Sequence, residues 1–232
     1  CMHSNKYTIL FTATLTIILG SFVSIASGSL KTLQDLNIEN DSKKKILVCL
    51  GYKEGEGIMW TSDDIQELFR KNIKSLSIDN KGNIIDNNQI NENLSSDVNL
   101  FPLYIDQVDG IAKGYAIPIS GKGLWSTLYG YFAVEPDGMT AKGITFYAHK
   151  ETPGLGGEVD KPWFQKNFIG KKFISKNGEL VGIEVVKGKA DPKSLYQVDG
   201  ISGATVTSKG VEKFLLNDLK KYEPFFNKIR DA

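Results

Sequence analysis

Three glycine-rich segments in the second half of the chain hold the residues that could do chemistry. The last of them, Asp199–Thr207 (DGISGATVT), directly precedes a predicted helix. Its small residues let a bulky group approach the backbone, and its hydroxyls and the free N–H groups of a helix start suit a phosphate. A turn that merely caps the helix is the alternative. The candidate ligand-binding residues of this segment are Asp199, Ser202, Gly203, Ala204, Thr205 and Thr207, of which Ser202, Thr205 and Thr207 carry the hydroxyls.

The two earlier segments combine glycines with apolar and hydroxyl-bearing side chains, a composition that suits the binding of a planar, partly apolar ring. Glu151–Glu158 (ETPGLGGE) offers a hydroxyl at Thr152, an apolar side chain at Leu155, and exposed backbone N–H groups around Gly154 and Gly156. An ordinary loop after a strand is the competing interpretation. Gly121–Ser126 (GKGLWS) places Trp125 and Ser126 beside glycines, where the tryptophan is either a core anchor or a wall of a binding pocket.

The segment before the last helix resembles the flavinylation motif Asp-x-x-(Ser/Thr)-Gly-Ala-Thr of covalent FMN-binding domains. The resemblance implies that Thr205 forms a phosphoester with FMN, attached from FAD by a separate flavin transferase outside the cytoplasm. It argues against Thr207 as the attachment point, although spacing alone would allow it. It also implies that Thr152 and Leu155 contact the isoalloxazine ring. His149, just upstream, is interpreted as structural.

Together, the three motifs resemble the C-type subunit family of sodium-translocating NADH:quinone oxidoreductases, which is related to the G-type subunit of the Rnf complex. The resemblance implies an electron-carrying subunit of a six-subunit membrane complex, with no complete active site on this chain alone. Negative charge on the reduced ring would be stabilised by N–H groups of the Gly154–Gly157 loop or by Lys187. Lys187 lies in a KGK turn that is equally typical of a solvated face. The alternatives are another membrane-anchored FMN carrier, such as the Rnf subunit, and a non-enzymatic membrane-tethered binding protein.

Composition excludes several other functions. The chain has 232 residues, with 28 Lys plus Arg against 27 Asp plus Glu and a net charge of +1. It therefore lacks the excess of basic residues that binding to nucleic acid requires. Two Cys and two His are too few to build a zinc site or an iron–sulfur cluster. Of the 23 glycines, 17 lie between Gly110 and Gly210, so the backbone is expected to hold the ligand.

The N-terminal region contains a long uncharged, largely apolar run that is not typical of a soluble protein. Tyr7–Leu30 is an uncharged run of 24 residues between Lys6 and Lys31, long enough to span a bilayer. It predicts a transmembrane anchor within residues 1–30 and contact with membrane lipid, whereas Ser24-Ile25-Ala26 fits the cleavage site of a signal peptide. Lysines flank both sides, so charge does not determine orientation. The family resemblance implies a single-pass protein of the bacterial cytoplasmic membrane with its soluble domain on the periplasmic side.

The remaining pattern predicts an α+β fold, in which the anchor precedes a mixed α/β FMN-binding domain with a twisted, largely antiparallel sheet. Residues 31–100 are expected to form a juxtamembrane helical and peripheral α/β region, and residues 101–232 the FMN-binding domain. The predicted helices span Leu30–Leu50 and Asp63–Ile73, and a last one begins near Thr207 with Val211, Phe214, Leu215, Leu219 and Tyr222 on one apolar face. The predicted strands are Tyr115–Ile119, Leu128–Val134 and Ile144–His149. Hairpins are predicted to turn at Gly82 and at Asn177-Gly178, with a turn at Pro136–Gly138 and a polar connector over Asn87–Asp97.

Overall fold

The computed structural model describes residues 5–55, 59–85 and 99–231. The polar connector predicted over Asn87–Asp97 lies outside the described residues. The chain divides into two compact units, Cys1–Asp41 and Ser42–Ala232. The three segments predicted from the sequence, residues 1–30, 31–100 and 101–232, stay a prediction.

The first helix, α1, runs without interruption over Asn5–Cys49. The helix predicted over Leu30–Leu50 is therefore its second half rather than a separate element. An 18-residue window of α1 has a mean hydropathy of 2.2 and no buried residue, so by length and composition α1 could cross a membrane. Hydroxyls such as those of Thr12 and Ser21 donate to carbonyls four residues earlier, so they need no partner outside the helix. The helix is consistent with the predicted anchor.

A six-stranded antiparallel sheet forms the centre of the second unit, which confirms the predicted α+β class. The hairpin predicted at Gly82 pairs the first two strands, with Ile78 opposite Ile84. The strands are β1 Ile73–Ile78, β2 Ile84–Ile85, β3 Phe101–Val108, β4 Ile111–Lys122, β5 Thr127–Val134 and β6 Ala141–Ala148. Their spatial order in the sheet is β2-β1-β3-β4-β5-β6.

Helices cover both faces of this sheet. The last helix, α4, runs over Thr205–Arg230 and packs its predicted apolar side on one face. The end of α1 and the helix α2, Ser62–Asn72, cover the other face, where Ile46 and Ile65 join one cluster with Tyr131. The buried residues of α4 that were predicted from helical spacing are Val211, Phe214, Leu215, Leu219 and Tyr222.

Strand β3 is absent from the sequence predictions for a physical reason. Pro102 lacks an N–H donor and Asp106 is charged, so the segment does not resemble a strand with two buried faces. Pro102 nevertheless pairs with Ser77 near the start of the strand, and Asp106 accepts a hydrogen bond of 2.9 Å from the Tyr52 hydroxyl. This strand joins β1 to the rest of the sheet.

The hairpin predicted at Asn177-Gly178 is correct in its turn and wrong in its strands. The amide of Ser175 donates to the carbonyl of Glu179, which closes the turn. Beyond it, an isolated bridge joins Ile174 to Leu180, and the amides of Val181 and Gly182 both donate to the Phe173 carbonyl, so no regular strand pair forms. The chain then leaves to form β7, Glu184–Val185, which pairs in parallel with β8, Gln197–Val198. A parallel partner about a dozen residues further on cannot be read from local alternation.

Two short helices follow β6 and complete the part of the fold that surrounds the glycine-rich loops. A 3-10 helix spans Gly156–Asp160, and α3 spans Pro162–Lys166 with proline at its first turn. The buried Phe164 ties α3 to the main core. This packing fixes the loop between β6 and α3 over the N-terminal end of α4.

Gly210 lets α4 lie directly on the end of β4, and its replacement tests that contact. A Cβ at this position would lie 2.3 Å from the Lys122 carbonyl oxygen. We expect Gly210→Ala to lower the free energy of unfolding by about 1–2 kcal/mol, since overpacking outweighs the ~1 kcal/mol gain in helix propensity. Urea unfolding of the full chain in detergent measures this change in the free energy of unfolding.

The matched control is Asn217→Ala on the exposed side of α4. It should leave stability unchanged or raise it by up to about 0.7 kcal/mol. A stabilised Gly210→Ala protein would contradict the close approach of the helix to the strand.

Candidate functional site

The three glycine-rich loops converge on one buried carboxylate, that of Glu151, which is 5 % exposed. One oxygen, Oε1, accepts hydrogen bonds from the backbone N–H groups of Trp125 and Ser126 at 2.9 and 3.0 Å. The other, Oε2, accepts from the Leu124 N–H at 3.3 Å and from the Thr207 hydroxyl at 2.8 Å. A single side chain thus joins the loop after β4, the loop after β6 and the first turn of α4.

Hydrogen bonding keeps this carboxylate charged. Burial by itself would raise the pKa of Glu151, but the Thr207 hydroxyl and the N–H groups of Ser126, Trp125 and Leu124 outweigh it, so the pKa lies below its ordinary value. No lysine or arginine forms an ion pair with Glu151 in the part of the chain that the structure describes. The negative charge of Glu151 is therefore stabilised by the dipoles of the N–H and O–H groups that donate to it.

Glycine is required on two sides of the Glu151 carboxylate. A Cβ on Gly156 would lie 2.5 Å from Oε2 and 2.7 Å from the Thr207 hydroxyl oxygen, and a Cβ on Gly123 would lie 2.7 Å from Oε1. These distances are shorter than any ordinary contact. Part of the glycine enrichment is thus explained by close packing around the carboxylate.

The N-terminus of α4 presents one threonine outward and one inward. Thr205, the first helical residue, is exposed, whereas Thr207 is 1 % exposed and donates to Glu151. Two residues along a helix differ by about 200° in direction, which accounts for the contrast. Ala204 at the N-cap has no polar side chain, so no capping side chain bonds the N–H groups of the first turn. The result is a hydroxyl beside backbone donors.

A cavity of about 490 Å³ opens at this helix end, within the ~300–1,000 Å³ typical of small-molecule sites. Its walls come from the loop before the 3-10 helix, from the segment after β7, and from the turn into α4. Trp163 and Glu158 form another part of the wall, where the indole N–H donates to the carboxylate at 2.8 Å. Of the predicted site residues, the cavity is lined by Gly154, Lys187, Ser202, Gly203 and Thr205.

The other residues predicted for the phosphate end lie behind the cavity wall. Asp199 accepts from the Lys189 ammonium at 2.6 Å and from the Ala190 N–H at 2.9 Å. The hydrogen bond from Lys189 and then that from Ala190 lower the pKa of Asp199. Ala204 is buried, and Thr207 is engaged by Glu151. These three residues support the turn and do not line the cavity.

Except for Gly154, which lines the cavity, the residues predicted for the ring-end loops surround Glu151 beside the cavity. Trp125 is 70 % exposed and Leu155 is 42 % exposed, and a Cβ on Gly203 would lie 2.8 Å from the Leu155 side chain. Thr152 is exposed, and its carbonyl accepts from the N–H groups of Leu155 and Gly157. Gly156 is buried, and the Ser126 hydroxyl accepts from the Lys150 N–H at 2.7 Å.

Three lysines line the cavity, and they differ in how their charge is balanced. Lys189 pairs with Asp199, and Lys209 pairs with Glu212 at 2.8 Å. Lys187 makes no ion pair with any residue of the described ranges. Its charge is the one left to meet an anionic ligand.

Sequence reasoning missed three residues of this site. Glu151 opens the ETPGLGGE segment, but a glutamate in a loop is ordinarily solvated, and only its place inside the motif gave a signal. Glu158 closes the same segment and had the same weak signal, whereas no sequence feature singled out Trp163. His149 has structural contacts: its Nδ1 accepts from the Glu151 N–H at 3.3 Å, and its Nε2 lies 3.6 Å from Asp160.

Comparison with known proteins gives consistent matches. The FMN-binding domain family matches residues 123–220. The C-type subunit of the Na(+)-translocating NADH-quinone reductase from Vibrio anguillarum is 35 % identical over 99 % of this chain and 96 % of its own length. The crystal structure of the same subunit from Parabacteroides distasonis has a TM-score of 0.70 and 32 % identity, covering 85 % of this chain and 96 % of its own. Shewanella oneidensis NqrC has a TM-score of 0.68 and 28 % identity, covering 82 % and 96 %.

The lowered pKa of Glu151 makes stability depend on pH through this residue. Because the pKa is lower in the folded state, its contribution is full above the unfolded pKa of about 4.3 and is lost as pH falls through the folded value. We expect Glu151→Gln to be less stable than wild type by about 2 kcal/mol at pH 7. Urea unfolding of the full chain between pH 3 and pH 8 should show this difference shrinking toward acid.

The control is Glu179→Gln, at an exposed turn. It should follow the wild-type pH profile throughout. A Glu151→Gln deficit that is constant down to pH 3 would contradict a charged Glu151.

Proposed function

This chain belongs to the NqrC family, the C-type subunits of Na(+)-translocating NADH-quinone reductases, and from that premise we propose that it holds FMN covalently on Thr205 and relays electrons from NADH toward quinone. The match to an FMN-binding domain supports the electron-carrier role. The observation that carries the attachment is the exposed Thr205 hydroxyl on an uncapped helix N-terminus inside a cavity. The relatives named above are all of the NqrC type, which favours this function over that of the Rnf subunit.

The phosphate end of the cavity suits a phosphoester. Thr205 would supply the linking oxygen, and the N–H groups of the first turn of α4 would donate to the remaining phosphate oxygens. Ser202 lines the same cavity and offers a further hydroxyl. We propose that a flavin transferase forms the ester from FAD with release of AMP, and that Thr207 takes no part because its hydroxyl is committed to Glu151.

The ring end would be held by the exposed residues around Glu151. Leu155 and Trp125 offer apolar surface, and Thr152 offers a hydroxyl. The N–H groups of Trp125 and Ser126 already donate to Glu151, so they are not free for a ligand. Within the Gly154–Gly157 loop, the N–H groups of Leu155 and Gly157 bond to the Thr152 carbonyl, whereas Gly154 lines the cavity and would offer its N–H to the ring.

Lys187 is proposed to balance negative charge on the reduced ring. It lines the cavity, and its charge is not consumed by an ion pair with a described residue, unlike those of Lys189 and Lys209. FMN would supply the electron-transfer chemistry, while the chain supplies attachment, orientation and electrostatics. The donor and the acceptor of the electrons belong to other subunits in this proposal, so this chain has no complete active site of its own.

The apolar part of α1 would hold the flavin domain beside membrane-embedded partners. We propose residues 1–30 as a single-pass anchor in the bacterial cytoplasmic membrane, residues 31–100 as the juxtamembrane region, and residues 101–232 as the FMN-binding domain on the periplasmic side. The partners are the other subunits of a six-subunit complex that translocates Na+. Attachment through Thr205 would keep FMN from being lost outside the cytoplasm.

Replacement of Thr205 tests the covalent link. The full chain is expressed with a flavin transferase, denatured, and measured by intact mass and by flavin fluorescence of the denatured band. We expect Thr205→Ala to have the mass of the bare chain and no fluorescence, because alanine has no hydroxyl that could form the phosphoester.

Thr207→Val is the matched control, since it removes the neighbouring hydroxyl and should still carry one FMN. Expression without the transferase should leave all three proteins bare. Covalent FMN on Thr205→Ala would overturn the assignment of the attachment residue.

Replacement of Lys187 tests the charge balance. In the FMN-loaded protein, Lys187→Met should lower the midpoint potential of the flavin, because a positive charge near the ring favours the reduced, more negative form. Spectroelectrochemical titration of the full chain measures the potential. Lys176→Met, in the exposed turn before Gly178, should leave it unchanged. A potential equal to that of wild type in Lys187→Met would rule out this role.

A further inference from the structure

The Glu151 carboxylate is a charged group in the site that no part of the proposed function uses. We propose that the negative charge of Glu151, which no cation among the described residues neutralises, lowers the reduction potential of the bound flavin, in opposition to Lys187. This inference rests on the proposed function, since it requires FMN on Thr205. It assigns to Glu151 an electrostatic role beyond holding the loops together.

The place of the carboxylate in the site supports this role. Its Oε2 would lie 2.5 Å from a Cβ on Gly156, so it sits directly behind the loop that includes Gly154 and Leu155. On its other side, it receives the N–H groups of the loop that contains Trp125. The charge is therefore held between the two loops proposed to contact the ring.

The charge is also not cancelled by a cation. The adjacent Lys150 and the nearby Lys122 are exposed, and among the described residues neither forms an ion pair with Glu151. Hydrogen-bond donors stabilise the carboxylate but leave its net charge in place. In a poorly solvated setting such a charge acts at longer range than it would in water. Addition of electrons to a neighbouring group is then disfavoured.

Thr207 separates this role from a purely structural one. Its hydroxyl donates to Oε2 at 2.8 Å, so Thr207→Val removes one donor and leaves the negative charge less screened. Glu151→Gln instead removes the charge while keeping an oxygen that accepts hydrogen bonds. The two variants loosen the same contact but change the local charge in opposite directions. A structural effect would move the potential the same way in both.

The experiment measures the midpoint potential of covalently bound FMN in the full chain, expressed with a flavin transferase and held in detergent. Glu151→Gln should raise the potential by an amount equal to about a tenfold change in the reduction equilibrium, ~59 mV for one electron. Thr207→Val should lower it or leave it unchanged. Intact mass confirms that each protein carries FMN before the titration.

Two results would overturn the inference. The first is an unchanged or lowered potential in loaded Glu151→Gln. The second is a raised potential in Thr207→Val, which also tests the inference if Glu151→Gln fails to fold. A wild-type chain that carries no FMN after expression with an active transferase would instead overturn the proposed function, and this inference with it.

Discussion

A buried carboxylate without a neutralising cation must be met by hydrogen-bond donors, and Glu151 imposes that requirement on two segments other than its own loop. The donors come from the loop after β4 and from the first turn of α4, and the carboxylate itself belongs to the loop after β6. None of these segments is fixed in place by strand pairing at the carboxylate itself. Their common partner makes them one site, and leaving any of the donors out would expose an unsatisfied charge to a low-dielectric interior.

The same constraint explains why Thr205 and Thr207, both in the first turn of α4, point in different directions. Once Thr207 points inward to Glu151, the helical repeat turns Thr205 outward to the cavity. An alanine at the N-cap then leaves the first N–H groups of the helix without a capping side chain. The exposed hydroxyl and the backbone donors therefore follow from an interaction on the opposite side of the helix.

Much of the fold is predictable from periodicity, and the apolar face of α4 from Val211 to Tyr222 is an example. Strand β3 is not predictable in this way, because Pro102 and Asp106 interrupt its apolar pattern. The parallel pair β7–β8 is not predictable either, because tertiary packing brings its two strands together. The motifs lie in loops that line the cavity or surround Glu151, but they could not distinguish lining from support. Asp199 belongs to the motif and lies behind the cavity wall, whereas Trp163 lies outside every motif and lines it.

The walls of the cavity come from residues near 154–163, 185–189 and 200–209, which are far apart along the chain. Before these segments meet, Thr205 is an ordinary threonine in a flexible polymer, with neither a helix terminus nor neighbouring walls. A modifying enzyme that requires this surrounding would therefore act only on molecules that have already folded. Under the attachment proposed for Thr205, bound FMN would then indicate correctly completed folding, and chains that fail to fold would remain without it.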